Sequence, residues 1–309
     1  MKIVMIMYGR GIGGAEFQFL ELAEKLALDH SVTLISLGGD GAVSAVGLGR
    51  SIDLQVFAYD GKFSAMWGLV RAWLGNIGHG AQAIVTTSVF GNFLGLVLNL
   101  FGQARLVSLQ TVSKAIRYPA LDRFVLKRFD KLIAGSSDIR DYLQGRGQDL
   151  DRIEVVNNWV DFSSREITVN AAETRAKFGL ARDEIVIGCI GRMHPQKAQE
   201  FLIRAFRALV PDYPQLRLVL VGDGETMAQM RDEAKGLDNS VLFTGSVLGN
   251  DYNNLLNAFD IYVQPSRFEG LPRTLLDAMF FGKPIVATAV NGNRDAICPS
   301  SGFLEQMAA

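Results

Sequence analysis

The chain has 309 residues, enough for two domains that each bury a core of their own. Apolar residues near half and charged residues near a fifth are those of an ordinary soluble α/β protein, and a formal net charge of −1 gives no global pull towards nucleic acid. Cys189 and Cys298 are too few for a disulfide framework, and neither they nor His30, His79 and His194 have the spacing of a metal site.

In chain order, Lys2 to Met7 predicts an apolar strand that runs straight into a glycine-rich turn, Tyr8 to Gly14, and not into a signal-peptide cleavage site. Ala15 to Ala27 has helical periodicity, with Phe19, Leu22, Ala23 and Leu26 on one face, and Val32 to Leu37 returns as a strand. A right-handed βαβ crossover of this kind places the turn at the carboxyl edge of a parallel sheet. Through Gly9, Gly11 and Gly14 the turn matches G-x-G-x-x-G, which raises an NAD(P)-dependent oxidoreductase. That reading needs an acid at the end of the second strand to hold a ribose, and here the strand ends Ser36-Leu37-Gly38-Gly39. Further strands are expected at Leu54–Phe57, Gln82–Thr86, Arg105–Ser108, Lys131–Ala134 and Glu154–Val156. Val89 to Phe101 is the longest apolar run; it is too short and too interrupted by Asn and Gly to span a bilayer, so the expected location is the cytoplasm. Ser113 to Lys131 is basic and aromatic. It reads either as a solvated helix face packed by its Phe residues or as docking to an anionic membrane surface or a lipid-diphosphate acceptor; no RNA-binding signature accompanies it.

The second half repeats the alternation. Phe162 to Arg182 is polar and bridges the halves, and strands are expected at Ile185–Ile190, Leu216–Val221, Val241–Phe243, Ile261–Gln264 and Ile285–Thr288. Cys189 falls inside the first of these, where a buried thiol is expected. That strand ends Gly191-Arg192, followed by His194-Pro195-Gln196-Lys197 and a helix from Ala198. A lysine beside a helix start is electrostatically misplaced unless an anion sits there, and Arg192 with Lys197 would suit two phosphates. The densest stretch is Ser266 to Thr288. Pro272 is set for the first helical position, Gly282 and Pro284 stop the helix, and Glu269-Gly270 precede a helix start whose N–H groups attract anions. Asp277 lies in the second turn on the side of Arg273 and Thr274. A helix start with two solvated acids is the alternative to a polyol and phosphate site.

Glu269, seven intervening residues and Asp277 around Gly270-Leu271-Pro272 resemble the signature of the retaining family 4 glycosyltransferases of the GT-B fold. The run GGAEFQFLELAEKLA, the stretch Asp130 to Ser136 with Asn158-Trp159-Val160-Asp161, and Phe243-Thr244-Gly245-Ser246-Val247 also resemble that family, so the likeness is nearly end to end. It implies two Rossmann-like doubly wound domains, residues 1–162 on the acceptor side and 163–309 on the nucleotide-sugar side. It assigns Arg192 and Lys197 to the donor diphosphate, Glu269 to sugar hydroxyls, Gly270 and Leu271 amides to the leaving charge and Asp277 to the ribose. Gly13 and Gly14 would approach the donor diphosphate and the acceptor, Val247 the base, and Gln110 the acceptor. The family usually has Glu where this chain has Asp277, and commonly a His where it has Gln110, which can bond a hydroxyl but cannot exchange protons near neutral pH. The family also continues past Gly302-Phe303-Leu304 with several helices, whereas this chain ends at Ala309.

The expectation is therefore a metal-independent, retaining hexosyltransferase using a nucleotide-sugar donor as substrate, no cofactor, a glycan or lipid-linked acceptor and no nucleic acid. The alternatives are the oxidoreductase and a non-catalytic subunit that needs a partner to complete its site.

Overall fold

Ile3-Val4-Met5-Ile6-Met7 shows no polar alternation because both of its faces are covered: Val4 and Ile6 enter one core, Ile3, Met5 and Met7 another. The computed structural model describes residues 1–8, 14–37, 52–57, 79–100, 102–111, 119–157, 159–160, 162, 165–297 and 303–305. They fall into two units, Met1–Asn158 and Trp159–Ala309.

In the first unit, β1 (Lys2–Tyr8), β2 (Ser31–Leu37), β3 (Ile52–Phe57), β4 (Ala83–Thr87), β5 (Arg105–Gln110), β6 (Lys131–Ala134) and β7 (Ile153–Val155) form one parallel sheet in the order β3-β2-β1-β4-β5-β6-β7. α1 (Gly14–Ala27) buries Gln18, Phe19, Leu20 and Ala23, whereas Leu22 and Leu26 are only partly buried. α2 (Val89–Leu98), α3 (Pro119–Leu126) and α4 (Ser137–Gly145) complete its described helices. β3 begins two residues before its predicted start because Ile52 and Asp53 pair with Val32 and Thr33. Strand order reverses between β1 and β4, the place where doubly wound sheets open a crevice at their carboxyl ends.

The second unit has the same plan. β8 (Ile185–Ile190), β9 (Leu216–Val221), β10 (Val241–Gly245), β11 (Ile261–Gln264), β12 (Ile285–Thr288) and β13 (Phe303–Glu305) are parallel in the order β10-β9-β8-β11-β12-β13. Its helices are α5 (Ala171–Lys177), α6 (Gln199–Leu209), α7 (Met227–Glu233), α8 (Gly249–Ala258), α9 (Arg273–Phe280) and α10 (Asn291–Ala296). Val186 and Ile190 face one core and Ile187 and Cys189 the other, so the Cys189 thiol is buried as expected, and burial pushes its pKa up to about 12.

α9 carries the signature stretch and shows how local sequence sets a helix. Pro272 sits one position earlier than predicted, as the extended residue before the first turn (φ −73°, ψ 121°). At the other end Gly282 adopts φ +64°; its N–H bonds Met279 O at 3.0 Å and the Lys283 N–H bonds Ala278 O at 3.0 Å. This double closure needs a left-handed residue, which glycine supplies without a Cβ clash.

Candidate active site

The turn after β8 throws two cations to the carboxyl edge of the second sheet. His194 O accepts the Lys197 N–H at 2.8 Å and His194 Nδ1 accepts the Gln196 N–H at 3.1 Å, so the histidine is a turn residue. Ala198 then enters α6 at φ 52°, ψ 36°, a left-handed conformation that costs a non-glycine residue of order 1–3 kcal/mol. Gln199 Nε2 donates to Arg192 O at 3.2 Å and fixes the backbone that presents the exposed Arg192.

Lys197 does not wait for an external anion. Its ammonium donates to Glu269 Oε1 at 2.6 Å, and the two side chains are 19% and 6% exposed. The lysine beside a helix start thus has a local counter-ion 72 positions away, which the sequence did not reveal. Oε1 also accepts Ser266 Oγ at 2.6 Å and Gln264 Nε2 at 2.9 Å. Gln264 is oriented from behind by Tyr262, whose hydroxyl donates to Gln264 Oε1 at 2.6 Å. Oε2 has one long contact, Gln196 Nε2 at 3.5 Å, and the same amide donates to Phe268 O at 3.0 Å. One oxygen of Glu269 is saturated and the other remains able to accept a hydroxyl. Close packing holds the turn: a Cβ on Gly292 would strike the Gly270 carbonyl, and the Gly292 N–H approaches Glu269 O at 3.3 Å.

The solvated-acid alternative does not hold for Asp277, which is buried. It is 2% exposed, and both of its oxygens already accept: Oδ1 from Arg165 Nε at 2.8 Å, Oδ2 from Tyr252 OH at 2.6 Å and from Arg165 Nη2 at 3.5 Å. These partners come from α8 and from the segment that opens this unit, and neither is a neighbour on its own helix. Gly270 and Leu271 are buried beside Glu269, and Val247 is half-buried between β10 and α8, packed on the core below.

Three assigned residues belong to the first unit. Gly14 is the first residue of α1, and Gly13 lies outside the described residues, as do Gly9 and Gly11. Gln110 ends β5, half-buried. Its Nε2 donates to Ser108 Oγ at 2.8 Å, and Ser108 and Thr86 both donate to the buried Asn92 Oδ1, at 2.7 and 2.6 Å. The basic segment divides: Lys114, Arg117 and Tyr118 lie outside the described residues, Phe129 is buried, and Phe124 is 54% exposed under the Arg128 guanidinium, 3.5 Å from its ring centre. Packing by its Phe residues therefore accounts for Phe129 and not for Phe124.

Gln196, Gln264, Ser266, Tyr252 and Arg165 were not anticipated. Gln264 alone carried a signal, a polar residue closing an apolar strand. Among the described residues no group of three or more His, Cys, Asp or Glu could hold a metal ion, and no helix is long and apolar enough to cross a membrane.

Residues 13–159 match the family described as glycosyl transferase 4-like domain, and residues 184–306 match glycosyl transferases group 1. The UDP-Gal:alpha-D-GlcNAc-diphosphoundecaprenol alpha-1,3-galactosyltransferase of Escherichia coli is 32% identical over 148 residues, 46% of this chain and 38% of that protein. A GDP-mannose-dependent monoacylated alpha-(1-6)-phosphatidylinositol monomannoside mannosyltransferase of Corynebacterium glutamicum is 31% identical over 138 residues, 42% of this chain and 36% of its own. The match thus spans less than half of either relative's length. Among solved structures, Anabaena HepE in complex with UDP-glucose superposes with a TM-score of 0.87 at 23% identity, over 99% of this chain and 85% of that one.

Proposed function

The chain belongs to the group 1, family 4 glycosyltransferases of the GT-B fold, and on that footing we propose that it transfers a hexose-type sugar from a nucleotide diphosphate to a hydroxyl of a glycan or lipid-linked acceptor, with retention of configuration. The observation that carries this reading is the Lys197–Glu269 pair at the carboxyl edge of the second sheet, with the exposed Arg192 opening the turn that bears Lys197. Glu269 has one oxygen fully engaged by protein donors and the other turned to Gln196. That oxygen is suited to a sugar hydroxyl, and the Gln196 amide offers a second group to a neighbouring hydroxyl.

As the sugar–phosphate bond breaks, negative charge grows on the leaving diphosphate. Arg192 supplies its guanidinium fork to it, and Lys197 shares its ammonium between Glu269 and the phosphate. Gly270 and Leu271 border the donor and Val247 its base, while Gly13 and Gly14 of the first unit keep the donor role that the family resemblance gives them. Gln110, held by Ser108, keeps the acceptor-side role that the family resemblance gives it; an amide can bond a hydroxyl without exchanging a proton, so in this scheme the acceptor's proton passes to a donor phosphate oxygen. This scheme asks nothing of a metal. The galactosyl and mannosyl relatives use UDP and GDP donors respectively, which supports the sugar-nucleotide class and leaves the base open. It also makes the oxidoreductase reading unnecessary.

The test is transfer or donor hydrolysis by the purified chain with UDP- and GDP-sugars, with and without excess EDTA. Activity that survives chelation is expected. Activity restored only by Mn²⁺ or Mg²⁺ would refute the metal-independent scheme, and activity that requires a second protein would favour the subunit reading.

A further inference from the structure

Asp277 is sealed by two partners of different character. Tyr252 comes from α8, and burial together with the Asp277 charge pushes its hydroxyl well above its ordinary value, so it stays a donor at any working pH. Arg165 comes from 112 positions earlier in the chain. It is the outer cover, with its side chain 15% exposed against 3% for the acid, and its second contact, Nη2 to Oδ2, is stretched to 3.5 Å. The backbone that delivers it is fastened independently. The Arg165 N–H bonds Phe162 O at 3.0 Å, Asn253 Nδ2 bonds Glu166 O at 3.2 Å, and Asn254 Oδ1 accepts the Thr168 and Val169 N–H groups at 2.9 and 3.2 Å. Phe162 stacks on Phe280 of α9 at 4.5 Å with 7° between the rings. None of these contacts draws on the guanidinium, so the backbone has fastenings of its own apart from the Arg165–Asp277 pair.

We propose that Arg165 is a specificity-determining residue that competes with the nucleoside's ribose diol for Asp277, while Tyr252 keeps the carboxylate in place for either partner. This rests on reading the second unit as the nucleotide site. A diol needs a carboxylate oxygen as acceptor, and Arg165 is the partner that yields one, because its Nη2 contact to Oδ2 is stretched to 3.5 Å while Tyr252 holds the same oxygen at 2.6 Å. The chain therefore reads ribose hydroxyls against an internal rival, and its affinity for nucleotide is lowered by the fraction of molecules in which the rival is seated. A nucleotide without the diol cannot displace Arg165 and leaves the acid as it is.

The experiment compares UDP with 2′,3′-dideoxy-UDP by calorimetry on the wild-type chain, Arg165→Gln, Arg165→Lys and Asp277→Asn, each checked by thermal unfolding. If the free acid is populated to about a tenth, Arg165→Gln raises the affinity for UDP about tenfold and leaves that for the dideoxy nucleotide unchanged. Arg165→Lys, which keeps a cation on the acid, moves UDP less, and Asp277→Asn brings the two ligands to equal affinity. A UDP-to-dideoxy ratio unchanged by Arg165→Gln, or an equal loss for both ligands, would overturn the proposal. Should the variants fail to fold, the Arg165 Nε–H resonance of the wild-type chain decides: UDP shifts it and speeds its exchange with solvent as the guanidinium leaves Asp277, and dideoxy-UDP does not. An identical response to both ligands would equally overturn the proposal. Failure of the wild-type chain to bind any of UDP, GDP or ADP is a different result, and it overturns the nucleotide reading on which the proposal stands.

Discussion

Replacing Lys197 by Met removes an ammonium from Glu269 Oε1 and keeps an unbranched stem of similar length. The carboxylate it abandons is 6% exposed and the lysine 19%, so solvent screens the pair little. Breaking a buried pair from one side typically costs about 3–5 kcal/mol, because an uncompensated charge stays behind. Ser266 and Gln264 still donate to the same oxygen, at 2.6 and 2.9 Å, which places the expected cost near the lower end, about 3 kcal/mol. For a domain of this size that is a fall of roughly 6–12 °C in the melting temperature of the second unit. Glu269→Gln in the same chain takes away the stranded charge, so the double variant should be more stable than Lys197→Met alone, with a coupling of about 2 kcal/mol. Scanning calorimetry of the four proteins measures this, since it can separate the transitions of two units. Single-turnover rates should fall ~10²–10³-fold in Lys197→Met, as for loss of one donor to a developing anion. Stability losses that add to within about 0.5 kcal/mol would refute the pair as an energetic unit.

Asp122 on α3 is 1% exposed, has Arg146 Nη2 at 3.8 Å, and neither of its oxygens has a hydrogen-bond partner among the described residues. Burial raises its pKa from 3.8 against the opposing pull of Arg146, so the folded state holds the proton more tightly than the unfolded one. The stability it contributes is full below pH 3.8 and is lost as pH rises through the raised value. Asp122→Asn should therefore raise the melting temperature at pH 7, leave it unchanged near the acid limit and flatten the slope between; an unaltered slope would contradict the assignment. Gly292→Ala must push α10 off the Gly270 carbonyl, at a cost of about 1–3 kcal/mol from overpacking and with loss of turnover, and a fully active, equally stable variant would show that the turn bearing Glu269 tolerates the shift. The exposed Phe124 and Leu121 beside Lys127 and Arg128 form the face proposed to meet an anionic bilayer, worth ~1 kcal/mol per basic residue. Changing Lys127 and Arg128 to Ser should weaken co-sedimentation with anionic liposomes and spare nucleotide binding, and equal sedimentation with neutral liposomes would reject the idea.

The inner strands of both sheets, β1, β2, β8 and β9 among them, were legible in the sequence because they are buried on two faces and read as apolar runs, and Gly282 and Pro272 punctuate α9 through purely local geometry, whereas β13 at Phe303–Glu305 was not expected as a strand. Arg192, Lys197 and Glu269 could be named for the same reason: each sits at the end of a strand or the start of a helix, where the parallel order puts them all at one sheet edge. Their partners could not be named. Lys197 meets Glu269 across 72 positions and Arg165 meets Asp277 across 112, and no periodicity records a contact at such separation. Strand pairing decides those meetings. β11 lies beside β8, so the loop bearing Glu269 rises next to the turn bearing Lys197, while the segment opening the second unit folds back along α8 and α9 to lay a guanidinium on Asp277. Asp277, which from its place in the helix could be a solvated acid or a diol ligand, is a sealed acid at 2% exposure with donors on both oxygens, and the tertiary fold alone could bring Arg165 and Tyr252 to it.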